Sequence, residues 1–241
     1  MSKYWNDTSY YSQPSSEEIK QKSMASTQKA KSKGKTLAPI IITGRNIAES
    51  WWGKAWCENL ERYADYSNRI TRGKRYVKSG AVIDMKISEG KVLAKVQGTR
   101  KTPYKVEVKI SPLKEGLCQE IIEQCSSRLE NIEKLMSGDF PDDMKELFTK
   151  EGGLFPSPKE ISFSCSCPDW ALMCKHVAAV LYGIGARFDE DPMLFFTLRS
   201  IDVDKFIDIT LSDRLESMIA NADKPSDRII AGDISELFGI I

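Results

Sequence analysis

The chain has 241 residues, of which 41% are hydrophobic, five are tryptophan, six are cysteine and one is histidine, with a formal net charge of +1. That apolar content suffices for one sizeable core or two modest ones, so a folded, soluble protein is expected. No apolar run approaches the roughly eighteen residues of a membrane span, and Met1 is followed by polar residues rather than a charged-then-apolar leader, so the expected location is the cytoplasm.

The charge is unevenly divided along the chain. Residues 1–110 carry 22 Lys/Arg against 10 Asp/Glu, a balance of +12, whereas residues 111–241 carry 13 against 24, a balance of −11. A basic front half can meet a polyanion that the acidic rear half would repel; the halves can also simply attract each other.

Residues 1–38 are rich in Ser, Lys, Gln and Tyr, and Lys20 to Lys35 holds six lysines with no acid between them. This composition reads as a disordered basic tail with too little apolar surface to offset the entropy of ordering. Structure is expected to begin near Pro39, with Ile40, Ile41 and Ile42 as a short buried strand ending at Thr43 and Gly44. From about Ser50 to Tyr66 the residues Trp52, Trp56, Leu60 and Tyr63 recur at helical spacing, with Ser50 as the N-cap and the tryptophans as core.

Residues 74–110 read as a β-meander. Ala81, Ile83, Met85 and Ile87 alternate with Val82, Asp84, Lys86 and Ser88, and Ser88-Glu89-Gly90-Lys91 supplies a turn. Val92, Ala94 and Val96 mark a second strand, Gly98 to Pro103 a second turn, and Val106, Val108 and Ile110 a third strand. Three alternating strands on short turns predict an antiparallel sheet with one wet face. Arg69, Arg72, Lys74, Arg75, Lys78, Arg100 and Lys101 gather around this meander, interleaved with Tyr76 and Tyr104. Cations and aromatics beside a sheet are a common way to hold a nucleic-acid strand, although turns are also basic simply to stay solvated.

Beyond Pro112 helices take over. Leu117, Ile121, Cys125, Leu129 and Ile132 form one apolar face on a helix of about six turns, on which Cys118 and Cys125 are core thiols. A shorter helix follows Pro141 with Met144, Leu147 and Phe148 inward, and Gly152-Gly153 ends it. Near the end of the chain, Asp191-Pro192 opens a short helix. Asp202 caps one containing Phe206 to Met218, and Asp233 with Glu236 caps a last one.

Between these lies the run with the densest chemistry, Cys165-Ser166-Cys167-Pro168-Asp169-Trp170-Ala171-Leu172-Met173-Cys174-Lys175-His176. Three cysteines and the only histidine, spaced C-x-C-x6-C-x-H, are the ligand types of tetrahedral zinc. Ile161, Phe163 and Cys165 alternate with serines, so a short strand is expected to carry the first ligand. One intervening residue puts Cys165 and Cys167 on the same side, where both sulfurs can reach an ion at about 2.3 Å. Cys174-Lys175-His176 is expected to open a helix through Val177, Val180, Leu181 and Ile184. Three thiolates and a neutral imidazole leave a net charge of −1 on the site, which Lys175 and the helix N-terminus offset. The shell is closed, so one structural Zn2+ is expected rather than a catalytic one. The alternatives are buried thiols beside a core histidine, or an iron–sulfur cluster that would prefer a fourth cysteine.

The ligand run, with the apolar helix after His176, resembles the SWIM zinc finger. Gly44-Arg45, Trp51 to Cys57, Arg72 to Val77, Gly152 to Pro156 and Leu194 to Arg199 extend the resemblance to the stand-alone prokaryotic SWIM zinc finger protein, over roughly residues 37–205. The resemblance implies binding of DNA or proteins and association with SWI/SNF-type ATPases.

The expected architecture is α+β: a disordered basic tail over 1–38, an α+β domain with the meander over 39–155, the SWIM finger over 156–188 and a C-terminal helical segment over 189–241. The expected function is a zinc-binding accessory protein that binds DNA or another nucleic acid. The alternative is a protein-interaction adaptor on a SWI/SNF-type ATPase. Neither a membrane nor a small-molecule substrate is expected. No enzyme is expected either, since His176 is committed to metal and no Walker, G-x-S-x-G or H-E-x-x-H motif occurs.

Overall fold

Four strands, β1 (Val82–Ser88), β2 (Lys91–Val96), β3 (Tyr104–Ile110) and β4 (Ile161–Cys165), form one antiparallel sheet in that order. This is seen in a computed structural model that describes residues 14–62, 67–128, 132–139, 141–169, 171, 173–202, 212 and 219. The helices are α1 (Ser16–Lys31), α2 (Trp51–Arg62), α3 (Ser67–Lys78), α4 (Glu115–Arg128), α5 (Ile132–Ser137), α6 (Asp142–Thr149), α7 (Lys175–Glu190) and α8 (Met193–Leu198). The protein is thus α+β, as expected. Among the described residues no helix is long and apolar enough to cross a membrane.

The meander forms because its apolar residues alternate. Val92 pairs with Val108, Ala94 with Val106 and Val96 with Tyr104, and all six side chains are buried on one face. Leu93 pairs with Glu107, and Lys95 with Lys105, on the other face, which is open. Gly90, at φ +60°, supplies the left-handed residue of the tight β1–β2 turn. In β1 the expected alternation breaks. A bulge between Val82 and Asp84 inserts one residue, so Val82 pairs with Val96 on the inner face and Ile83 leaves it.

The helix α7 packs against all four strands and against α2 and α3. Its close approach depends on small residues. A Cβ on Gly53 would lie 2.5 Å from the Gly185 carbonyl, and one on Gly73 would lie 2.5 Å from Ala178 Cβ. The tryptophan stripe is core, as expected: Trp52 and Trp56 are fully buried, and their indole N–H groups donate to the Leu135 and Leu181 carbonyls at 2.9 and 2.8 Å. Phe148, Phe155, Phe195 and Phe196 close around Trp52.

Several expectations are corrected. Residues 16–31, assigned to a tail, form α1, because Ser15 and Glu18 make a reciprocal capping box and Ile19 and Ser23 are buried. Lys22 donates to the Thr99 carbonyl and Ser26 to Gln97, tying α1 to the β2–β3 turn. Residues 1–13 lie outside the described part. Ile40 to Ile42 form no strand, although Ile40 N–H donates to the Val82 carbonyl at 3.0 Å; Ile41 is 72% exposed. Residues 74–78 belong to α3 rather than to the meander.

Within the span expected as one helix over 117–132, α4 and the start of α5 are helical, and residues 129–131 between them lie outside the described part. Pro141, expected at the first helical position, is instead the N-cap of α6, so the helix starts one residue later at Asp142, with Met144 and Phe148 buried. The boundary expected at 156 falls inside one packed unit, since β4 is the fourth strand of the sheet and α7 its main cover. The short helix after Pro192 is α8, while the helices expected over 202–218 and 233–237 fall almost wholly outside the described residues.

Candidate metal centre

The strand β4 ends on Cys165, which pairs with Val106 of β3. Beyond it the chain stays tied to the sheet, because Ser166 N–H donates to the Lys105 carbonyl and Lys105 N–H donates to Ser166 Oγ. Cys167 follows. The turn after Pro168 is held by Asp169, which accepts the Ala171 N–H at 3.2 Å and pairs with Arg69 of α3 at 2.5 Å. Cys174 is the N-cap of α7, its sulfur accepting the Val177 N–H at 3.5 Å, and His176 is the second residue of the helix. Two ligands therefore come from a strand end and two from a helix start, as expected.

The four ligand atoms lie within 4.8 Å of one another. Tetrahedral zinc thiolate requires sulfurs roughly 3.7 Å apart, a spacing that follows from Zn–S bonds of about 2.3 Å. His176 Nδ1 is 3.8 Å from Cys174 Sγ and 4.0 Å from Cys165 Sγ, so Nδ1 is the nitrogen turned toward the cluster. The donor set fits the metal chemically as well as spatially: four soft or borderline ligands, two of them buried, and every position filled by protein. Hydrogen bonds from Cys165 and then His176 and Val177 hold the Cys174 thiol down to about 4, against the opposing effect of burial. The same contact, with burial, pushes the Cys165 thiol up, and burial pushes Cys167 up. Zinc would be held by all three sulfurs as thiolates, since a coordinating thiol is deprotonated.

The histidine is clamped from both sides. The Tyr104 ring lies 4.3 Å from the imidazole at an interplanar angle of 32°, and Tyr76 of α3 meets it edge-on at 5.5 Å. His176 Nε2 is buried with no hydrogen-bond partner among the described residues, and it faces Gly98. A Cβ on Gly98 would lie 2.5 Å from the Tyr104 ring and 3.1 Å from Nε2. Tyr76, Tyr104 and Gly98 read in sequence as interleaved aromatics and a turn residue beside the meander, and only their distances to His176 place them at the centre; Asp169 reads as the turn inside the ligand run, and the structure adds its pairing with Arg69. Lys175, expected to offset the site's charge, lies 5.7 Å from the Tyr76 ring.

The seven cations singled out in sequence divide into two groups. Arg69, Arg72, Lys74, Arg75 and Lys78 lie on α3, while Arg100 and Lys101 lie on the β2–β3 turn. Arg69 is spent on Asp169, Lys74 pairs with Glu61 at 2.7 Å, and Lys78 donates to the Arg45 carbonyl. Arg100 is exposed, its guanidinium 5.8 Å from the Tyr104 ring. Arg72 and Lys101 have no ion-pair partner among the described residues.

Residues 164–183 match the family model described as SWIM zinc finger. Over 155 residues, 64% of its length, the chain is 36% identical to a protein of Mycobacterium tuberculosis (strain ATCC 25618 / H37Rv) named "Uncharacterized protein Rv2102". The chain spans 56% of the length of that relative. No solved structure matches it. The family match and the geometry meet on the same four side chains: this chain carries a SWIM zinc finger, with Cys165, Cys167, Cys174 and His176 as the ligands of one structural zinc ion.

Proposed function

We propose that this protein is a non-catalytic accessory factor that binds nucleic acid, DNA in the first instance, beside its zinc finger. One observation carries the reading. Two cationic segments distant in sequence, α3 and the β2–β3 turn, converge on His176 through Tyr76 and Tyr104. The metal orders the finger and thereby holds both segments in place. The basic balance of residues 1–110 supports the same reading, since a surface of that sign attracts phosphate. A closed Cys3His shell offers zinc no open position for water, and the only histidine is a ligand, which argues against hydrolytic chemistry at this centre.

The test is a fluorescence titration of the zinc-loaded chain with a labelled 20-base-pair duplex, at roughly 50 and 200 mM salt. Several phosphate contacts predict a loss of affinity of about 100-fold or more across that range. No binding at the lower salt overturns the reading.

A second reading, docking on a SWI/SNF-type ATPase without contact to nucleic acid, is favoured by the exposed acids Asp142, Asp143 and Glu146 of α6. Complex formation that survives nuclease treatment would favour it.

A further inference from the structure

Lysines that the zinc centre does not use meet on the outer side of the molecule. A hollow of about 300 Å3 lies between the C-terminal part of α1 and the β2–β3 turn. Its charged lining is Lys29, Lys33, Lys35, Lys95 and Lys101, with no acid. A second hollow, of about 470 Å3, lies on the open face of the sheet, where Lys86, Lys95 and Lys105 surround Leu93 and reach Ser164 and Ser166 of the finger. Lys95 lines both, so the two hollows adjoin.

The two acids of the second hollow are already neutralised. Asp84 is paired with Lys95 at 2.6 Å, and Glu107 with Lys109 and Lys91 at 3.1 and 3.3 Å. The lysine contacts hold the Glu107 carboxyl below its ordinary range. Lys29, Lys33, Lys35, Lys86, Lys101 and Lys105 have no acidic partner among the described residues. Like charges confined to one concave surface raise the local potential and call for a polyanion.

We infer that this lysine track, from the end of α1 across β2 to the finger, binds the phosphodiester backbone of DNA. The inference rests on the nucleic-acid reading above and relocates its main contact from α3 to α1 and the open sheet face. Ammonium groups on flexible stems are point charges without the planar fork that reads base edges, so the contact is one to phosphates and is indifferent to sequence. The lining residues include no aromatic ring, so bases do not stack there. The α1 helix supplies Lys29 and the segment just after it supplies Lys33 and Lys35, and the helix's ties through Ser26 to Gln97 and through Lys22 to Thr99 hold this end of the chain opposite Lys101.

The experiment compares the zinc-loaded full chain with a quadruple variant, Lys29→Gln, Lys33→Gln, Lys35→Gln and Lys101→Gln. A second variant, Lys114→Gln with Lys150→Gln, alters two exposed lysines outside both hollows. Labelled duplexes of two unrelated sequences are titrated across salt, with zinc content and circular dichroism confirming that each variant is folded. The quadruple variant is expected to bind at least about tenfold more weakly at low salt, and its log–log salt slope to flatten by about 3.6, since each of the four lost phosphate contacts removes roughly 0.9. The control variant is expected to match the parent.

If the parent binds and the quadruple variant binds equally well, the track is overturned while nucleic-acid binding stands. If the parent does not bind either duplex, both fall. A preference beyond about tenfold between the two duplexes overturns the sequence-indifferent contact. Displacement of the duplex by an equal charge concentration of poly-glutamate overturns DNA as the occupant in favour of an acidic protein segment.

Discussion

The two faces of the sheet are made by the same strands and differ in almost everything else. The inner face carries Val92, Val106 and Val108, lies under α7 and leads through Cys165 into the zinc centre. The outer face carries Leu93, Lys95, Lys105 and Glu107 and remains open. Period-two alternation sorts these residues, so one strand contributes at once to the core and to the surface. The contrast teaches that the finger is not an appended module: its strand closes the sheet and its helix covers it, so metal and core should stand or fall together. The outer face should be nearly free of stability consequences and available for binding.

The largest expected effect tests the first half of that contrast. His176→Ala should reduce zinc from about one ion per chain to well below it. It should also lower the unfolding midpoint by about 10 °C or more, because metal binding at structural zinc sites is itself folding free energy. Metal analysis and thermal denaturation measure the two quantities. Loss of zinc with an unchanged midpoint would break the link between finger and core.

Gly98→Ala comes next, since the added methyl would press on Tyr104 and His176. Overpacking of this kind costs about 1–3 kcal/mol, and a Tyr104→Leu background should recover part of the loss. Equilibrium denaturation of the single and double variants reads the coupling. Additive losses would mean that the contact between Gly98 and the ring is unimportant.

Arg199→Met removes a buried guanidinium, 1% exposed, that donates to the Ser111 carbonyl at 2.8 Å and to Glu160 at 3.0 Å. The expected loss is about 1–3 kcal/mol. Burial pushes the Glu160 carboxyl up, but the Ser157 N–H and Arg199 together hold it below its ordinary value of 4.5. A carboxylate with a lowered folded pKa stabilises the protein above its unfolded pKa and loses that stabilisation as pH falls through the folded value. The parent should therefore lose stability as pH drops below about 4.5, and the variant should lose less over the same interval. Identical pH profiles would dissociate Glu160 from Arg199.

The smallest effect belongs to the outer face. Leu93, 49% exposed, can become Ser with a change in stability within about 0.5 kcal/mol. A loss well beyond that would show that the outer face is a packed surface and would end the contrast.

Much of this was legible in the residue pattern. The ligands Cys165, Cys167, Cys174 and His176 are close in the chain, and the helix after them is uninterruptedly apolar, so local spacing sufficed. The same holds for β2 and β3, whose alternation is regular, and for the tryptophans of α2, whose spacing is helical. Local pattern failed where a long-range contact outweighed it. The lysine-rich composition of α1 argues against order, yet its capping box and the burial of Ile19 prevail. The basic run of α3 looks like a strand entry, but Gly73 against Ala178 makes it a helix packed on α7. In β1 a single inserted residue moved Val82 to the opposite face from the one alternation assigned.

Chemistry carried by neighbours in the chain was therefore readable directly: a metal of four protein ligands, a wet antiparallel sheet and a surplus of cations in the first half. Tertiary structure alone decided which of those cations are already paired, as Arg69 is with Asp169 and Lys74 with Glu61. It alone made the finger part of the sheet and brought α1 to face Lys101 across a common hollow. The physical reason is range. Ligand spacing and side-chain alternation are set within a few bonds, whereas the partner of a long charged side chain is set by whatever distant segment the core brings beside it.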